Sequence, residues 1–353
     1  MIVVLWSSVV AIALTISVAV FLWMVYAPVV ARGLAEMPWL PSRLPATTPD
    51  EYSEGIFEAE TVSFDTEDGV RLAGTYLPTT ARHRKGVIIF CHELRGTRWT
   101  ALTFTGGLRD EGFDILAFDF RNHGDSTTQP GHLPIPWATT GEATDIRAAI
   151  DYCCRRDEAL AGHVVLFGLS RGASAALYVA ESDARVRAAV LDSIVPTEHV
   201  QLYLIKRFMQ FHTRSALWFS RWPDWTLRML TFWANRMIEW RHGRRLLRVD
   251  RAAQRMRKPV LLIHGSRDAF VPLETVGVLR KQMRSRPRLW VVPQARHNET
   301  VLEAGEGYTH RVARFLLRHL PAEPEEVRAV PEPVFAGLAM AEDGRSGRAH
   351  VAR

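Results

Sequence analysis

From residue 86 onward, short apolar runs alternate with stretches that have a helical pattern. The runs predict strands at residues 86–91, 113–120, 163–167, 188–191, 259–265 and 288–293. The stretches between them predict helices at residues 97–111, 140–155, 173–181, 273–284 and 299–319. Upstream, two alternating segments flank Glu67-Asp68-Gly69 and predict an antiparallel hairpin. This order predicts an α/β protein whose mostly parallel sheet carries helices on both faces.

One strand-to-helix junction has the sequence Gly168-Leu169-Ser170-Arg171-Gly172. A G-x-S-x-G turn between a strand and a helix is typical of a nucleophile elbow, which exposes its serine above the sheet. The glycines flank the serine because the tight turn leaves no room for side chains on either side. The pattern predicts Ser170 as a nucleophile, although a Gly/Ser turn can also simply open an ordinary helix.

A serine hydroxyl needs a base to take its proton and an acid to orient that base. In proteins with a nucleophile elbow, the three residues follow the chain order serine, acid, histidine. Asp268 follows the strand at 259–265 and His297 follows the strand at 288–293, which predicts the triad Ser170, Asp268 and His297. Asp192, after the strand at 188–191, is the alternative acid. Asp268 as a turn residue and His297 as a helix-capping surface histidine also stay open.

With these motifs the chain resembles α/β-hydrolase fold serine hydrolases, of the lysophospholipase-like and serine aminopeptidase-like group. The resemblance covers about residues 56–320 and implies a core of residues 56–195 and 259–320. It implies an oxyanion hole formed by the backbone N–H groups of Leu94 and Arg171. Glu93 stands where the family commonly has glycine, so it is either a substrate-facing acid or a solvent-facing side chain. The loop Arg121-Asn122-His123-Gly124 is expected to support the site.

Residues 196–258 interrupt the strand pattern, at the place where the family carries a helical lid. The segment interleaves aromatic residues with arginines, which suits an acyl-chain pocket or an anionic lipid surface. We therefore expect its tryptophans to contribute to the substrate pocket, with Trp218, Trp222 and Trp225 as candidates. Ordinary packing of these aromatic side chains on the core is the alternative.

Residues 2–26 contain no charged side chain, and a helix of this length could cross a hydrocarbon core of ~30 Å. We predict a single-pass membrane anchor at residues 1–31, with a cleaved signal peptide as the alternative, and therefore a membrane bilayer as partner. A proline-rich linker at 32–55 and a disordered tail at 321–353 complete the chain. Arginines after the span, and three cysteines with no disulfide pattern, favour a cytoplasmic catalytic domain.

No cluster of histidine and cysteine has metal-ligand spacing, so we expect neither a metal nor another cofactor. The net charge is +6, but the basic residues are concentrated locally in the segment 196–258 and no recognised nucleic-acid-binding motif accompanies them. We therefore expect no nucleic-acid partner. The predicted function is hydrolysis of a lipophilic carboxylic ester or thioester, a small-molecule substrate, through an acyl-enzyme. The alternatives are a serine peptidase or amidase acting on short peptides and a catalytically idle, membrane-tethered binding protein.

Overall fold

The structure is a computed structural model that describes residues 2–36, 44, 59–129, 134–212 and 224–320. Its strands form a single eight-stranded sheet in the order β1-β2-β4-β3-β5-β6-β7-β8. The strands are β1 Glu60–Asp65, β2 Arg71–Leu77, β3 Gly86–Cys91, β4 Phe113–Phe118, β5 Val164–Leu169, β6 Val186–Asp192, β7 Val260–Gly265 and β8 Arg288–Val292. Pairs β1-β2 and β2-β4 are antiparallel and the remaining pairs are parallel, which confirms the predicted fold class.

The central strands are apolar throughout because both faces of the sheet are covered. Every residue of β3, β4, β5 and β7 is buried, as expected for parallel strands between two helical layers. The first strand, at the edge of the sheet, instead alternates exposed and buried residues over most of its length. This difference explains why the sequence changes from alternating segments before residue 78 to continuous apolar runs after it.

The helices that cover the sheet follow the predicted positions with local differences. They are α1 Ile2–Ala35, α2 Ala101–Thr105, α3 Thr140–Arg156, α4 Arg171–Ser182, α5 Thr197–His212, α6 Asp224–His242, α7 Val249–Arg255, α8 Leu273–Gln282, α9 Thr300–Ala304 and α10 Glu306–His319. The helix predicted at 97–111 is reduced to α2 between two short 3₁₀ turns, the second of which begins at Gly106-Gly107. The helix predicted at 299–319 is broken into α9 and α10 by Gly305, whose φ of +54° leaves the helical region.

The anchor predicted at residues 1–31 is wrong. No helix in the described part of the chain is both long enough and apolar enough to cross a membrane. The last turns of α1 instead pack against α6 and bury Ala27, Val30 and Leu34. The indole N–H of Trp137 also donates a 2.9 Å hydrogen bond to the carbonyl of Leu34. The end of α1 is therefore part of the folded domain, and the localisation inferred from the anchor loses its basis.

Several predicted segments fall wholly or partly on residues that the structure does not describe. The tail at 321–353 and the candidates Trp218 and Trp222 lie outside the described residues. The linker predicted at 32–55 also lies mostly outside them, and residues 32–35 belong to α1. Within 196–258, the described residues contain α5, α6 and α7. Buried Gln201 and Asn235 exchange two side-chain hydrogen bonds of 2.9 and 3.0 Å, which join α5 to α6.

Candidate active site

Ser170 lies in the turn between β5 and α4 and has a strained backbone, with φ +54° and ψ −116°. Positive φ is uncommon for a residue with a side chain and is found where the surrounding structure enforces it. Two glycines make the turn possible. A Cβ at Gly172 would overlap the carbonyl oxygens of Cys91 and His92, and one at Gly168 would overlap the backbone of Ala173. The glycines that define the sequence motif are therefore required by close backbone packing.

The structure brings Ser170, His297 and Asp268 together, although they come from three separate loops. His297 Nε2 lies 2.8 Å from Ser170 Oγ, and His297 Nδ1 lies 2.6 Å from Asp268 Oδ2. An ionised carboxylate can only accept a hydrogen bond, so Nδ1–H donates to Asp268 and Nε2 is left to accept from the Ser170 hydroxyl. In this tautomer His297 can take a proton from Ser170.

Asp268 is held in its ionised form by its neighbours. Burial alone would raise its pKa, but the charge and hydrogen bond of His297 outweigh burial and lower the pKa below its ordinary value. The other carboxylate oxygen accepts backbone hydrogen bonds from Phe270 (2.9 Å) and Val271 (2.8 Å). These bonds fix the carboxylate in the loop that follows β7. Behind it, buried His264 has its Nε2 2.9 Å from the carbonyl oxygen of Val271.

The alternative acid, Asp192, belongs to a different network. It is fully buried and accepts hydrogen bonds from the hydroxyl groups of Tyr308 (2.6 Å), Ser193 (2.9 Å) and Thr300. Burial raises the pKa of Asp192 to about 6. Asp268, and not Asp192, is hydrogen-bonded to His297. Asp192 instead ties the end of β6 to α9 and α10.

The two predicted oxyanion donors follow neighbouring strands. Leu94 comes after β3 and Arg171 after β5, and these strands pair in parallel with Cys91 opposite Gly168. Arg171 is the first residue of α4, where a backbone N–H has no partner within the helix. Its side chain is buried in an ion pair with Glu142, at 2.9 Å. Leu94 and Arg171 therefore follow strands that end at the same edge of the sheet as Ser170.

The loop after β4 supports this edge through buried histidines and arginines. His92 Nε2 accepts a 3.0 Å hydrogen bond from the backbone N–H of Phe120, and the guanidinium of Arg171 lies 3.2 Å from His123 Nε2. Burial lowers the pKa of His92 well below its ordinary value and that of His123 to about 4. Both imidazoles are therefore neutral near pH 7. The contacts of Arg171 with Glu142 and His123 could not be predicted from the sequence, because the three residues come from elements far apart along the chain.

Glu93, for which the sequence left a substrate-facing and a solvent-facing side chain open, is only partly exposed, and its carboxyl group turns inward. Its carboxyl group folds over Gly96, where a Cβ would overlap it, and its Oε2 is buried without a hydrogen-bond partner among the described residues. Burial raises the pKa of Glu93 to about 7. The group lies close enough to His297 to interact with it electrostatically. The remaining pocket candidate, Trp225, lies in the first turn of α6 with 57% of its surface exposed.

Most of the folded domain matches the sequence model of a known family. Residues 88–315 match the model described as Alpha/beta hydrolase family. The chain belongs to this family. Solved structures of the same fold include an esterase of Pyrococcus furiosus, which is 23% identical, with a TM-score of 0.58 over 81% of this chain and 97% of that one. Membership in this family supports a hydrolase activity.

Curated relatives cover much of the chain at low identity. A protein of Mycobacterium tuberculosis is 25% identical over 297 residues, which span 81% of this chain and 91% of the relative. The protein YfhR of Escherichia coli K12 is 24% identical over 77% of this chain and 86% of its own length. Quorum-quenching protein AidA of Acinetobacter baumannii is 35% identical over 130 residues, which are 36% of this chain and 41% of AidA.

Proposed function

We propose that the protein is a serine hydrolase that cleaves carboxylic esters through an acyl-enzyme on Ser170. The observation that carries the proposal is the hydrogen-bonded series Ser170 Oγ, His297 and Asp268, at 2.8 and 2.6 Å. Hydrogen-bonded side chains of nucleophile, base and orienting acid are the arrangement that nucleophilic catalysis requires. The family match and the esterase neighbours support the choice of an ester substrate.

In the proposed reaction, Ser170 Oγ attacks the ester carbonyl carbon while its proton passes to His297 Nε2. The carbonyl oxygen becomes an oxyanion that accepts hydrogen bonds from the N–H groups of Leu94 and Arg171. Asp268 stabilises the imidazolium, which then gives its proton to the leaving alcohol as the carbon–oxygen bond breaks. Water activated by the same histidine attacks the acyl-serine, and the acid product leaves.

The acyl part of the substrate is proposed to be lipophilic, as an ester or thioester. The described aromatic side chains of α6 support this choice. This helix lies within the segment 196–258 proposed as a lid, and it exposes Trp225, Phe232, Trp233 and Trp240. An exposed aromatic surface of this kind fits an apolar chain or another apolar partner. Cleavage of short peptides or amides by the same triad is the alternative outcome of the test below.

The test is a panel of p-nitrophenyl esters of rising chain length, with aminoacyl-nitroanilides beside them. We expect ester hydrolysis, and a Ser170→Ala variant should lose it by as much as ~10⁶-fold in kcat. Ser182→Ala is the matched control, because this serine lies at the other end of α4 and donates only to the Val179 carbonyl. Ester activity that survives Ser170→Ala would refute the proposal, and turnover of the nitroanilides alone would replace the ester with an amide.

A further inference from the structure

A groove of about 800 Å³ lies beside the edge of the sheet formed by β8, mainly where β7 and β8 begin. It is lined by the first residues of β7, by β8 and by the second half of α10. Asp268 and His297 follow the carboxyl ends of the same two strands, so the groove lies at their opposite ends. It is therefore separate from the candidate active site.

The groove is strongly basic. Seven arginines line it, from four different parts of the fold, and none of the lining residues is acidic. These arginines are Arg257, Arg280, Arg286, Arg288, Arg311, Arg314 and Arg318. None of the seven pairs with a carboxylate of the described residues, whereas elsewhere in the fold Arg121, Arg171 and Arg185 all do. Within the part of the chain that the structure describes, these charges converge without a carboxylate to compensate them.

Trp290 holds one of these guanidinium groups, that of Arg311, in place. The Arg311 guanidinium lies over the ring of Trp290, 4.6 Å from its centroid, and Tyr308 packs against the same tryptophan at 5.7 Å. Stacking on a ring leaves the N–H groups at the guanidinium edge able to donate. Because Trp290 already contacts Arg311 and Tyr308, charge is the main property that the groove offers to a ligand.

The arginine charges also act on a histidine that lines the groove. Burial, together with the charges of Arg318, Arg187 and Arg288, lowers the pKa of His319 below its ordinary value. Arginines on α10, β6 and β8 therefore all disfavour a positive charge on the His319 imidazole. A bound anion would relieve this repulsion.

We propose that this groove binds a small ligand that carries several phosphate groups. Guanidinium groups match phosphate oxygens with paired hydrogen bonds, and several of them together suit a ligand of high charge density. The volume lies within the range of small-molecule pockets. Free polyphosphates and lipid headgroups share this chemistry, and the experiment separates these two sources.

The experiment measures binding of inorganic tripolyphosphate to the full chain by calorimetry. The variant Arg311→Gln/Arg314→Gln/Arg318→Gln removes three exposed charges from one face of α10, and we expect affinity to fall about tenfold or more. Arg82→Gln/Arg155→Gln/Arg251→Gln is the control, because it removes the same charge at exposed positions outside the groove and should bind as the parent does. Ester hydrolysis should be the same in all three proteins.

Two further arms identify the source and test the chemistry. Vesicles with cardiolipin, whose headgroup carries two phosphates, would identify lipid headgroups if they bind the parent but not the groove variant, and tripolyphosphate binding without vesicle binding would identify a soluble ligand. Arg288→Gln, on β8, gives a second measure if the triple variant unfolds. Absence of tripolyphosphate binding, equal loss in the control, or polyglutamate that binds as tightly as tripolyphosphate would each overturn the proposal.

Discussion

Replacement of Glu93 by glutamine tests the burial of a carboxyl group beside the proposed oxyanion loop. Glutamine has nearly the same shape but cannot ionise, so the variant removes a titrating group and little else. Burial raises the pKa of Glu93 from its ordinary value of 4.5 to about 7. The folded protein therefore holds this proton more tightly than the unfolded chain does, and ionisation of Glu93 opposes folding.

The sign and size of the effect follow from this difference. Between pH 4.5 and 7 the unfolded chain releases the proton first, so the parent loses stability as the pH rises through this window and no further above it. At about 1.4 kcal/mol for each pH unit, the whole effect is about 3.5 kcal/mol, and about 2.5 kcal/mol of it falls between pH 5 and pH 8. We expect the Glu93→Gln variant to gain that amount relative to the parent.

The assay is urea unfolding of parent and variant at pH 5 and at pH 8, with the free energy of unfolding compared at each pH. The difference between the two proteins isolates Glu93, because other buried carboxyl groups such as Asp145 and Asp192 titrate in both. Glu303→Gln, at an exposed position of α9, is the matched control and should give a difference that does not depend on pH. The same independence in Glu93→Gln would refute the burial argument.

Three further predictions concern the acid, the first helix and the aromatic surface. Asp268→Asn should lower ester kcat by on the order of 10⁴-fold, whereas Asp192→Asn should mainly lower the thermal unfolding midpoint. A larger loss of kcat in Asp192→Asn than in Asp268→Asn would assign the acid role to Asp192. Removal of residues 1–36 should lower the free energy of unfolding in urea by several kcal/mol, because apolar side chains at the end of α1 are buried. Removal of residues 1–20 should lower it far less, and equal losses would mean that the end of α1 does not stabilise the domain. Trp225→Ala should flatten the rise of ester kcat/KM with chain length, about 0.8 kcal/mol for each methylene in contact, and an unchanged profile would mean that this tryptophan does not touch the acyl chain.

The fold and the position of the candidate site could be predicted because they depend on local patterns. Continuous apolar runs mark the buried strands, and the glycines around Ser170 mark a turn that no larger residue could occupy. The loops after β7 and β8 then bring Asp268 and His297 to the same edge, since parallel strands end together. Two candidate acids remained at the sequence level, and only the hydrogen bond to His297 distinguishes Asp268 geometrically from Asp192.

What could not be predicted depends on contacts between distant residues. The bond from Trp137 to Leu34 joins positions 103 residues apart, and the packing of α1 on α6 joins elements about two hundred residues apart, so an apolar N-terminal segment resembled an anchor. The carboxyl group of Glu93 turns inward because Gly96 leaves space for it. The arginines of the basic groove are scattered from 257 to 318 and form no run in the sequence, so only the fold reveals them as one cluster.

The central claim, that Ser170 is an activated nucleophile, is tested most directly by labelling with a fluorophosphonate and locating the adduct by mass spectrometry. Only a serine whose proton is accepted by a neighbouring base reacts readily with this reagent. We predict a single adduct, on the peptide that contains Ser170, with none in the Ser170→Ala variant. An unlabelled parent protein, or an adduct on any other residue, would contradict the account.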